Sequence, residues 1–275
     1  METALPPDTT IAFSGGGNMA AALIQGLMRR GVSTHHLRVA EPNGERRREL
    51  TALCPGLLPL TDNHTLLQSH IDLLVLAVKP GVVPMVLQEI RQSLQPQTVV
   101  LSIAAGVTLA QMGALLPEGQ PLLRAMPNTP ALVGAGITGL VAAATVTAPQ
   151  IALAKSVLDA CGETLILGQE SLLDAVTALS GSGPAYVFLM AEALSDGGVA
   201  CGLPRNVADR LAIQTLLGSA RLMDESGKHP GELKNQVTSP GGTTIAGLLR
   251  LEQAGVRGAL MEAVMAAWKR AGELR

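Results

Sequence analysis

The sequence predicts an α/β fold, in which an N-terminal Rossmann-like, doubly wound parallel sheet precedes an all-helical C-terminal domain. In the first half, short aliphatic runs alternate with longer helical patterns, which is typical of a parallel sheet covered by helices on both faces. A glycine-rich segment lies between the first run and the first helical pattern. After Gly162, one brief strand-like run at residues 164–167 is followed by almost only helical pattern.

The predicted strands of the first half are short and apolar, which indicates burial on both faces. They are Thr10–Ser14, Leu37–Ala40, Ile71–Val78, Thr98–Ile103 and Leu122–Met126. Helical patterns over residues 18–30, 43–53 and 82–94 lie between them. We therefore assign residues 1–165 to a dinucleotide-binding domain.

Helical patterns fill residues 166–275, which we assign to a substrate-binding and dimerisation domain. Ser182 is the predicted N-cap of a helix that ends near Ala200, and Pro184 suits its first turn. Further helices are predicted over residues 204–227, 244–253 and 256–273. Because these helices are rich in Leu, Ala and Met on more than one face, we expect a homodimer through this domain. Packing within one chain alone is the alternative.

The composition disfavours several classes of protein. With a net charge of −2, one Trp, one Tyr and two Phe, the chain has neither the basic excess nor the aromatic rings typical of nucleic-acid binding. The sequence has no uninterrupted apolar run of about 18 residues, so we expect no membrane span, and residues 1–10 do not resemble a signal peptide. The three cysteines and five histidines form no regular metal-site spacing, which predicts a cytoplasmic protein without a bound metal.

The segment Gly15-Gly16-Gly17-Asn18-Met19-Ala20 follows the first strand and opens the first helix. It fits the dinucleotide motif G-x-G-x-x-A, in which the first glycine permits a tight turn and the second lets the pyrophosphate approach the backbone. The helix N-terminus then offers free N–H groups and a positive dipole end to the phosphates. We predict coenzyme contacts from Gly15 through Met19. A glycine-rich turn without a ligand is the alternative.

The choice of coenzyme is left open by the residues that follow the second strand. Glu41 ends that strand, 24 residues after Gly17, and an acid there favours NAD by accepting the ribose hydroxyls. The basic run Arg46-Arg47-Arg48 comes soon after, and a nearby arginine accommodates the 2′-phosphate of NADP. A solvated helix face is the other interpretation of this run. Pro42 also bends the chain and could turn Glu41 away.

Two further loops follow predicted strands, at the sheet edge where ligands bind in such folds. Ala77-Val78-Lys79-Pro80 closes one strand, and Lys79 is expected near the nicotinamide half of the coenzyme, with a solvated lysine as the alternative. Residues 126–130 (MPNTP) form a polar loop that two prolines stiffen. Asn128 within it is the predicted coenzyme contact.

A second donor-rich loop, Ser239-Pro240-Gly241-Gly242-Thr243-Thr244, enters a predicted helix. Successive N–H groups of Gly242, Thr243 and Thr244 are expected to point at one spot, which suits a carboxylate. A capping loop without a ligand is the alternative. Residues 180–184 (SGSGP) form another hydroxyl-rich loop at a predicted helix start.

At this point the chain resembles the pyrroline-5-carboxylate reductase family, over essentially its whole length and with matching blocks in the family's order and spacing. The blocks are FSGGGNMA at 13–20, AVKP at 77–80, SIAAGV at 102–107, RAMPNTP at 124–130, DAVTALSGSGPAYVF at 174–188, DGGVACGLPR at 196–205 and KNQVTSPGGTTIAGL at 234–248. The last block is the most specific to the family.

The resemblance implies reduction of L-1-pyrroline-5-carboxylate to L-proline, the last step of proline biosynthesis. It implies NADPH as the hydride donor, with NADH also accepted, and dimers that assemble into a larger ring. It places Thr244 near the ring nitrogen as the catalytic residue. The other implied substrate contacts are Ser182, Gly183, Ser239, Gly241, Gly242 and Thr243, and the implied lining of the coenzyme cleft adds Lys79, Ala104, Ala105 and Gly106.

Two positions depart from the family's pattern. Ser14 stands where the family usually has Ile. His64 stands where the family often has Asn at the adenosine end, and Asn63 precedes it, so we regard both Asn63 and His64 as candidate coenzyme contacts. The competing hypotheses are a related β-hydroxy-acid dehydrogenase, for which Lys234 is the candidate acid or base, and a dinucleotide-sensing scaffold without activity.

Overall fold

The computed structural model describes residues 5–274. Residues 1–10 are predicted not to be a signal peptide, and the first four of them lie outside the described residues. The described part contains one sheet of seven strands. The strands are β1 Ile11–Ser14, β2 Leu37–Ala40, β3 Leu73–Leu76, β4 Val99–Ser102, β5 Leu122–Met126, β6 Gly136–Ala142 and β7 Gly162–Ile166. Their order is β2-β1-β3-β4-β5-β6-β7, and all neighbours are parallel except β5 and β6.

The helices confirm the predicted division into an α/β half and a helical half. Those of the first half are α1 Asn18–Arg29, α2 Gly44–Leu53, α3 Asn63–Leu66, α4 Val83–Ile90, α5 Leu109–Gly113, α6 Ala148–Leu158 and α7 Leu172–Val176. Those of the second half are α8 Gly183–Ala200, α9 Arg205–Ser226, α10 Pro230–Gln236, α11 Thr243–Gln253 and α12 Val256–Glu273.

Both faces of the sheet are covered, as the unbroken apolar strands predict. Along β1, Ile11 and Phe13 join the cluster that includes α1, whereas Ala12 joins the opposite cluster with α4. This alternation follows from the two-residue period of a strand. Each fully buried Leu, Ile or Phe stabilises the fold by about 1.5–3 kcal/mol. The doubly wound, Rossmann-like fold class is thereby confirmed.

The chain divides into two compact units, one formed by residues up to Gly181 together with those from Ala267 on, the other by Ser182–Ala266. Because β7 pairs with β6 through residues 162–166, this last strand belongs to the first unit. The domain boundary between residues 165 and 166 stays a prediction.

Ser182 holds the predicted N-cap position of α8, but its side chain makes no capping hydrogen bond. Ser182 has helical dihedrals of −87° and −26°, and residues 177–181 form a π-helical turn directly before α8. The hydroxyls of Thr177 and Ser180 donate to carbonyls four residues earlier, those of Leu173 and Val176, at 2.7 and 3.0 Å. Such back-bonding keeps hydroxyl residues inside a helix, so the helical segment is continuous across this point.

That continuous segment, Leu172–Ala200, is long and apolar enough to cross a membrane by length and composition, with a mean hydropathy of 1.2. One such helix is weak evidence for a membrane protein, since core helices of soluble proteins pass the same test. The expectation that the chain has no membrane span therefore stays a prediction.

The second unit has a polar connection between two helices and many exposed apolar side chains. Ser195 on α8 donates to the Asp209 carboxylate on α9 and accepts from the Arg205 guanidinium at 2.9 Å.

Phe188 and Leu189 on α8 are 66% and 65% exposed. Apolar surface on this scale marks an interaction surface.

Candidate functional site

The turn between β1 and α1 requires a glycine at its first position. Gly15 has a φ of +95°, and a Cβ atom there would lie 2.8 Å from Val78 Cγ1 and 2.9 Å from the Ala77 carbonyl oxygen. Its N–H donates to the Ala40 carbonyl at 2.8 Å. The turn thus lies at the carboxyl ends of β1, β2 and β3, where the strand order reverses, and this is where ligands bind in open α/β sheets.

Gly17 is the N-cap of α1 and has room around it. Its φ of −63° is ordinary, and a Cβ atom there would meet only the Ala77 oxygen, at 3.9 Å. The N–H groups of Asn18, Met19 and Ala20 belong to the first helical turn, where no earlier helical carbonyl can accept them. A Cβ atom at Gly17 would occupy the open space in front of these donors. Because glycine leaves this space free, the loop fits a phosphate group.

Gly16 is a glycine because the protein itself packs against it. Its N–H donates to Glu41 Oε2 at 2.9 Å, and its carbonyl accepts from Arg46 Nε at 2.6 Å. A Cβ atom at this position would overlap Leu50 Cδ1. The Gly16 N–H is therefore directed to Glu41.

Glu41 points toward the glycine-rich loop, so Pro42 does not turn it away. Its Oε1 also accepts the backbone N–H of Asn43 at 2.9 Å. Arg47 donates to the backbone oxygens of Glu41 and Pro42 at 2.7 and 2.8 Å. Arg46 is thus bonded to the glycine-rich loop and Arg47 to the backbone that follows β2, which neither of the interpretations of the basic run had foreseen.

The role of Arg46 was missed at the level of sequence, although a signal for it exists. Leu50, four residues later, is the buried residue of α2, and residues four apart share one helix face. An arginine one turn before the only buried position of a short helix faces the same way as that position. The sequence therefore contained the information that Arg46 lies inward.

The residues predicted at the adenosine end lie on α3. Asp62 caps this helix, and the Thr65 backbone N–H that it accepts lowers the pKa of its carboxyl group. Asn63 donates to Glu89 at 3.3 Å, and its Oδ1 is buried without a partner among the described residues. His64 is exposed. An unpartnered buried acceptor costs about 1–3 kcal/mol, so Asn63 is the residue with an unmet hydrogen bond here.

The two loops predicted near the nicotinamide follow β3 and β4. Ala77 donates to the Ser14 carbonyl at 2.8 Å, which extends the pairing of β3 by one residue. Val78 is half-buried, and Lys79 and Pro80 are exposed. After β4, Ala104 is 5% exposed. Ala105 is half-buried and precedes Gly106, whose φ of +80° makes a tight turn.

Asn128 and Ser14, which the sequence analysis singled out, are both buried. The Asn128 amide donates to the Ser180 carbonyl at 3.1 Å and accepts the Ile137 N–H at 2.9 Å. Both ends of this amide are therefore used by the protein. The Ser14 hydroxyl, which replaces the family's usual Ile side chain, is buried and has no partner among the described residues.

In the second unit, the donor-rich loop before α11 is a tight turn. Gly241 has a φ of +67°, and the Gly242 N–H donates to the Ser239 carbonyl at 3.1 Å. The expectation that the Gly242 N–H points at the anion together with its neighbours is therefore wrong, because the turn uses it. The N–H groups of Thr243 and Thr244 open α11 and lack a preceding helical acceptor.

The other predicted substrate residues of this unit start α8. Ser182 is half-buried, and a Cβ atom at Gly183 would meet no atom within 4 Å. As at Gly17, protein packing does not explain this glycine. Thr244 is half-buried and Ser239 exposed.

Two observations concern a buried thiol and the grouping of possible metal ligands. Burial raises the pKa of the Cys161 thiol to about 11, and this thiol donates to the Ala22 carbonyl at 3.0 Å. It therefore stays protonated at neutral pH. Within residues 5–274, no group of three or more His, Cys, Asp or Glu side chains is arranged to hold a metal ion.

Comparison with known proteins gives matches to both halves of the chain. Residues 170–274 match the model of the pyrroline-5-carboxylate reductase dimerisation family, and residues 10–106 match that of NADP oxidoreductases, coenzyme F420-dependent. A pyrroline-5-carboxylate reductase of Synechocystis is 44% identical over 265 residues, which are 96% of this chain and 97% of that protein.

Solved structures agree with these matches. The chain is similar to a pyrroline-5-carboxylate reductase from Coxiella burnetii, with a TM-score of 0.91, 38% identity and coverage of 97% of this chain and 98% of that one. It is also similar to the Plasmodium falciparum pyrroline carboxylate reductase with NADP bound, with a TM-score of 0.86, 30% identity and coverage of 100% and 99%.

Proposed function

The chain belongs to the pyrroline-5-carboxylate reductase family, and from this premise we propose that it reduces L-1-pyrroline-5-carboxylate to L-proline, the last step of proline biosynthesis. The observation that carries the proposal is identity of 44% over 96% of the chain with one such reductase. The two donor-rich helix starts, at α1 and α11, suit the two anionic groups that the reaction brings together, a pyrophosphate and a carboxylate.

The coenzyme is a nicotinamide dinucleotide, which supplies the hydride when bound. The N–H groups of Asn18, Met19 and Ala20 bind the pyrophosphate, and Glu41 lies where the adenosine ribose is held. NADPH is the proposed donor, in keeping with the relative that has NADP bound, and NADH is also accepted. Glu41 favours NADH, since a carboxylate repels the 2′-phosphate of NADPH.

The remaining coenzyme contacts are proposed from the loops that follow the strands. Lys79 and the turn from Ala104 to Gly106 line the nicotinamide half, and Asn63, with its unmet acceptor, contacts the adenosine half. His64 and Asn128 were predicted to take part as well. The Asn128 amide, because the protein occupies both of its ends, acts by fixing its loop.

The substrate is a cyclic imine that carries a carboxylate. The N–H groups of Thr243 and Thr244 take the carboxylate, and the Ser239–Gly242 turn sets their direction. The Thr244 hydroxyl lies beside the ring nitrogen, where it orients the ring and pairs with the amine lone pair that forms as hydride arrives. Since a threonine hydroxyl does not ionise at neutral pH, the iminium proton comes from solution. The Ser182 hydroxyl gives the ring a polar neighbour, and Gly183 leaves room for the ring because it has no side chain.

The helical half provides the subunit contacts. It carries the family's dimerisation region, and its exposed apolar residues form a surface that a second copy covers. We propose a homodimer built from these helices, dimers assembled into a larger ring, and a cytoplasmic location without nucleic-acid or membrane partners.

One assay tests the proposed reaction. Coenzyme oxidation is followed by absorbance with L-1-pyrroline-5-carboxylate, and the reverse direction is run with β-hydroxy acids and NADP. The expected result is oxidation with the imine only. Turnover of a β-hydroxy acid instead would point to a dehydrogenase, and turnover of neither, with coenzyme binding retained, to a sensing scaffold.

A further inference from the structure

The peptide groups on both sides of Gly16 are held by two side chains of opposite charge. Glu41 Oε2 accepts the Gly16 N–H at 2.9 Å, and Arg46 Nε donates to the Gly16 carbonyl at 2.6 Å. Hydrogen bonds to charged groups are about twice as strong as neutral ones. The middle of the glycine-rich loop is thus fixed by Glu41, which directly follows β2, and by Arg46 of α2.

Packing reinforces this arrangement. A Cβ atom at Gly16 would overlap Leu50 Cδ1 and would lie 3.1 Å from Glu41 Cβ. Leu50 is fully buried, and it lies one helical turn after Arg46 on the same face of α2. The loop is therefore pressed against the side chains that hold it, and its backbone has little freedom to rotate.

Two of the three nitrogen atoms of the Arg46 guanidinium are engaged within the protein. Its NH1 forms a 2.7 Å ion pair with Glu49, and its NH2 is buried without a partner among the described residues. The side chain is 19% exposed. Arg48, two residues on, is exposed and has only a long bond of 3.4 Å to the Gly44 carbonyl. Arg46 is thus placed behind the loop, and Arg48 faces solvent.

Holding the Gly16 carbonyl also fixes the next donor. In a trans peptide, the C=O of Gly16 and the N–H of Gly17 point in opposite directions, and the described chain contains no cis peptide. The bond from Arg46 therefore turns the Gly17 N–H away from α2. This N–H directly precedes the free donors of the first turn of α1.

We propose that Arg46 is a positioning residue for the coenzyme: by holding the Gly16 carbonyl, it aims the Gly17 N–H and the start of α1 at the pyrophosphate, and it does not contact a 2′-phosphate. The inference rests on the proposed coenzyme site at this loop. Because the pyrophosphate is common to NADH and NADPH, loss of Arg46 weakens both coenzymes by the same factor. A residue that binds the 2′-phosphate would affect NADPH alone.

The test measures dissociation constants for NADH and NADPH by calorimetry, so that turnover is not needed. Arg46→Met keeps the length of the side chain and removes its donors, Arg46→Lys keeps the charge, and Arg48→Met is the matched control on the same helix. We expect Arg46→Met to raise both dissociation constants about tenfold, which is about 1.4 kcal/mol. Arg46→Lys should raise both by a smaller factor, and Arg48→Met should leave the NADH constant unchanged.

Several outcomes would overturn the inference. A rise for NADPH alone would make Arg46 a ligand of the 2′-phosphate. If folded Arg46→Met had unchanged dissociation constants for NADH and NADPH, even with a lower melting temperature, Arg46 would have a purely structural role. If Arg46→Met does not fold, Arg46→Lys decides. Unchanged dissociation constants in Arg46→Lys would count against the positioning role, and a rise for both coenzymes would support it. If the wild-type chain binds neither coenzyme, the proposed coenzyme site itself is wrong.

Discussion

The Ser239 hydroxyl occupies the space into which a Cβ atom at Gly242 would project. Gly242 has an ordinary φ of −78°, so a side chain there meets the Ser239 hydroxyl and backbone strain plays no part. Gly242→Ala must displace this hydroxyl, and we expect the displacement to disturb the turn that directs the N–H groups of Thr243 and Thr244. We expect about a tenfold rise in KM for the imine, the equivalent of about one lost hydrogen bond.

A double variant separates this explanation from a general loss of stability. Ser239→Gly removes the hydroxyl, so Gly242→Ala combined with Ser239→Gly should recover part of the lost substrate affinity. Steady-state kinetics at saturating NADPH measures the change. An equal KM in wild type and Gly242→Ala would show that the turn does not set the substrate site.

The open space at Gly17 leads to a second prediction. Gly17→Val places a branched side chain in front of the first turn of α1, where the pyrophosphate is proposed to bind. Because φ is −63° and a Cβ atom meets no atom closer than 3.9 Å, the fold should be retained while coenzyme binding is abolished. Calorimetry with NADPH measures the loss.

The control for Gly17 is Gly168→Val. A Cβ atom at Gly168 also meets no atom within 4 Å, and this residue lies outside the glycine-rich loop. Its coenzyme affinity should equal that of wild type. If folded Gly17→Val bound NADPH normally, the coenzyme site would have to lie away from this loop.

A third prediction concerns the choice between NADH and NADPH. Glu41→Gln keeps an oxygen that can accept the Gly16 N–H but removes the charge that is proposed to bind the ribose hydroxyls and to repel a 2′-phosphate. Charged hydrogen bonds exceed neutral ones by about 1 kcal/mol, so the ratio of kcat/KM for NADPH over NADH should rise about fivefold. Kinetics with each coenzyme gives this ratio, and an unchanged ratio would show that Glu41 only supports the loop.

Local patterns account for the parts of the fold that the sequence predicted well. The strands Leu37–Ala40 and Leu122–Met126 agree residue by residue with β2 and β5, because short apolar runs between turns are a local signal. The predicted strand Ile71–Val78 is longer than β3, Leu73–Leu76. The glycine-rich turn was identified from spacing alone, and its φ of +95° at Gly15 confirms the reason given for that glycine.

Long-range contacts explain what the sequence did not predict. Strand β6 was missed because Gly136 and Gly139 weaken its pattern, although both are packed closely: Cβ atoms there would lie 2.9 Å from Ala131 and 3.1 Å from Leu173. The bond between Arg46 and Gly16 joins residues 30 apart in sequence. The sequence indicates that Arg46 faces inward, but the distant partners in both relationships are not identified until the sheet and helices are assembled.

The exposed apolar surface of the helical unit gives a fourth prediction. Phe188→Asp on α8 replaces a side chain that is 66% exposed within the family's dimerisation region, and it should shift the assembly toward monomer at micromolar concentration. Leu58→Asp is the control, since Leu58 is 82% exposed but lies outside residues 170–274. Analytical sedimentation measures both, and a wild type that sedimented as a fully active monomer at micromolar concentration would contradict the proposed homodimer.

The last prediction concerns the Thr244 hydroxyl. Hydride must reach the carbon on the far side of the ring nitrogen from the carboxylate, so the ring has to be held by its carboxylate edge. The N–H groups of Thr243 and Thr244 are proposed to do this, which would bring the hydroxyl of the half-buried Thr244 close to the nitrogen. One such hydrogen bond is worth about 1–3 kcal/mol when its partner would otherwise be buried unpaired, and about 1.36 kcal/mol is tenfold in rate.

Thr244→Ala should therefore lower kcat/KM for the imine by about 10- to 100-fold, whereas its NADPH dissociation constant should match that of wild type. Thr244→Ser is the matched variant, since it keeps the hydroxyl and should retain most of the activity. Thr243→Ala tests whether removing any side chain at the start of α11 lowers kcat/KM. This variant should have a small effect, because Thr243 is proposed to contribute only its backbone N–H. Wild-type kcat/KM in Thr244→Ala would mean that the backbone alone recognises the substrate and that the hydroxyl plays no part in hydride transfer.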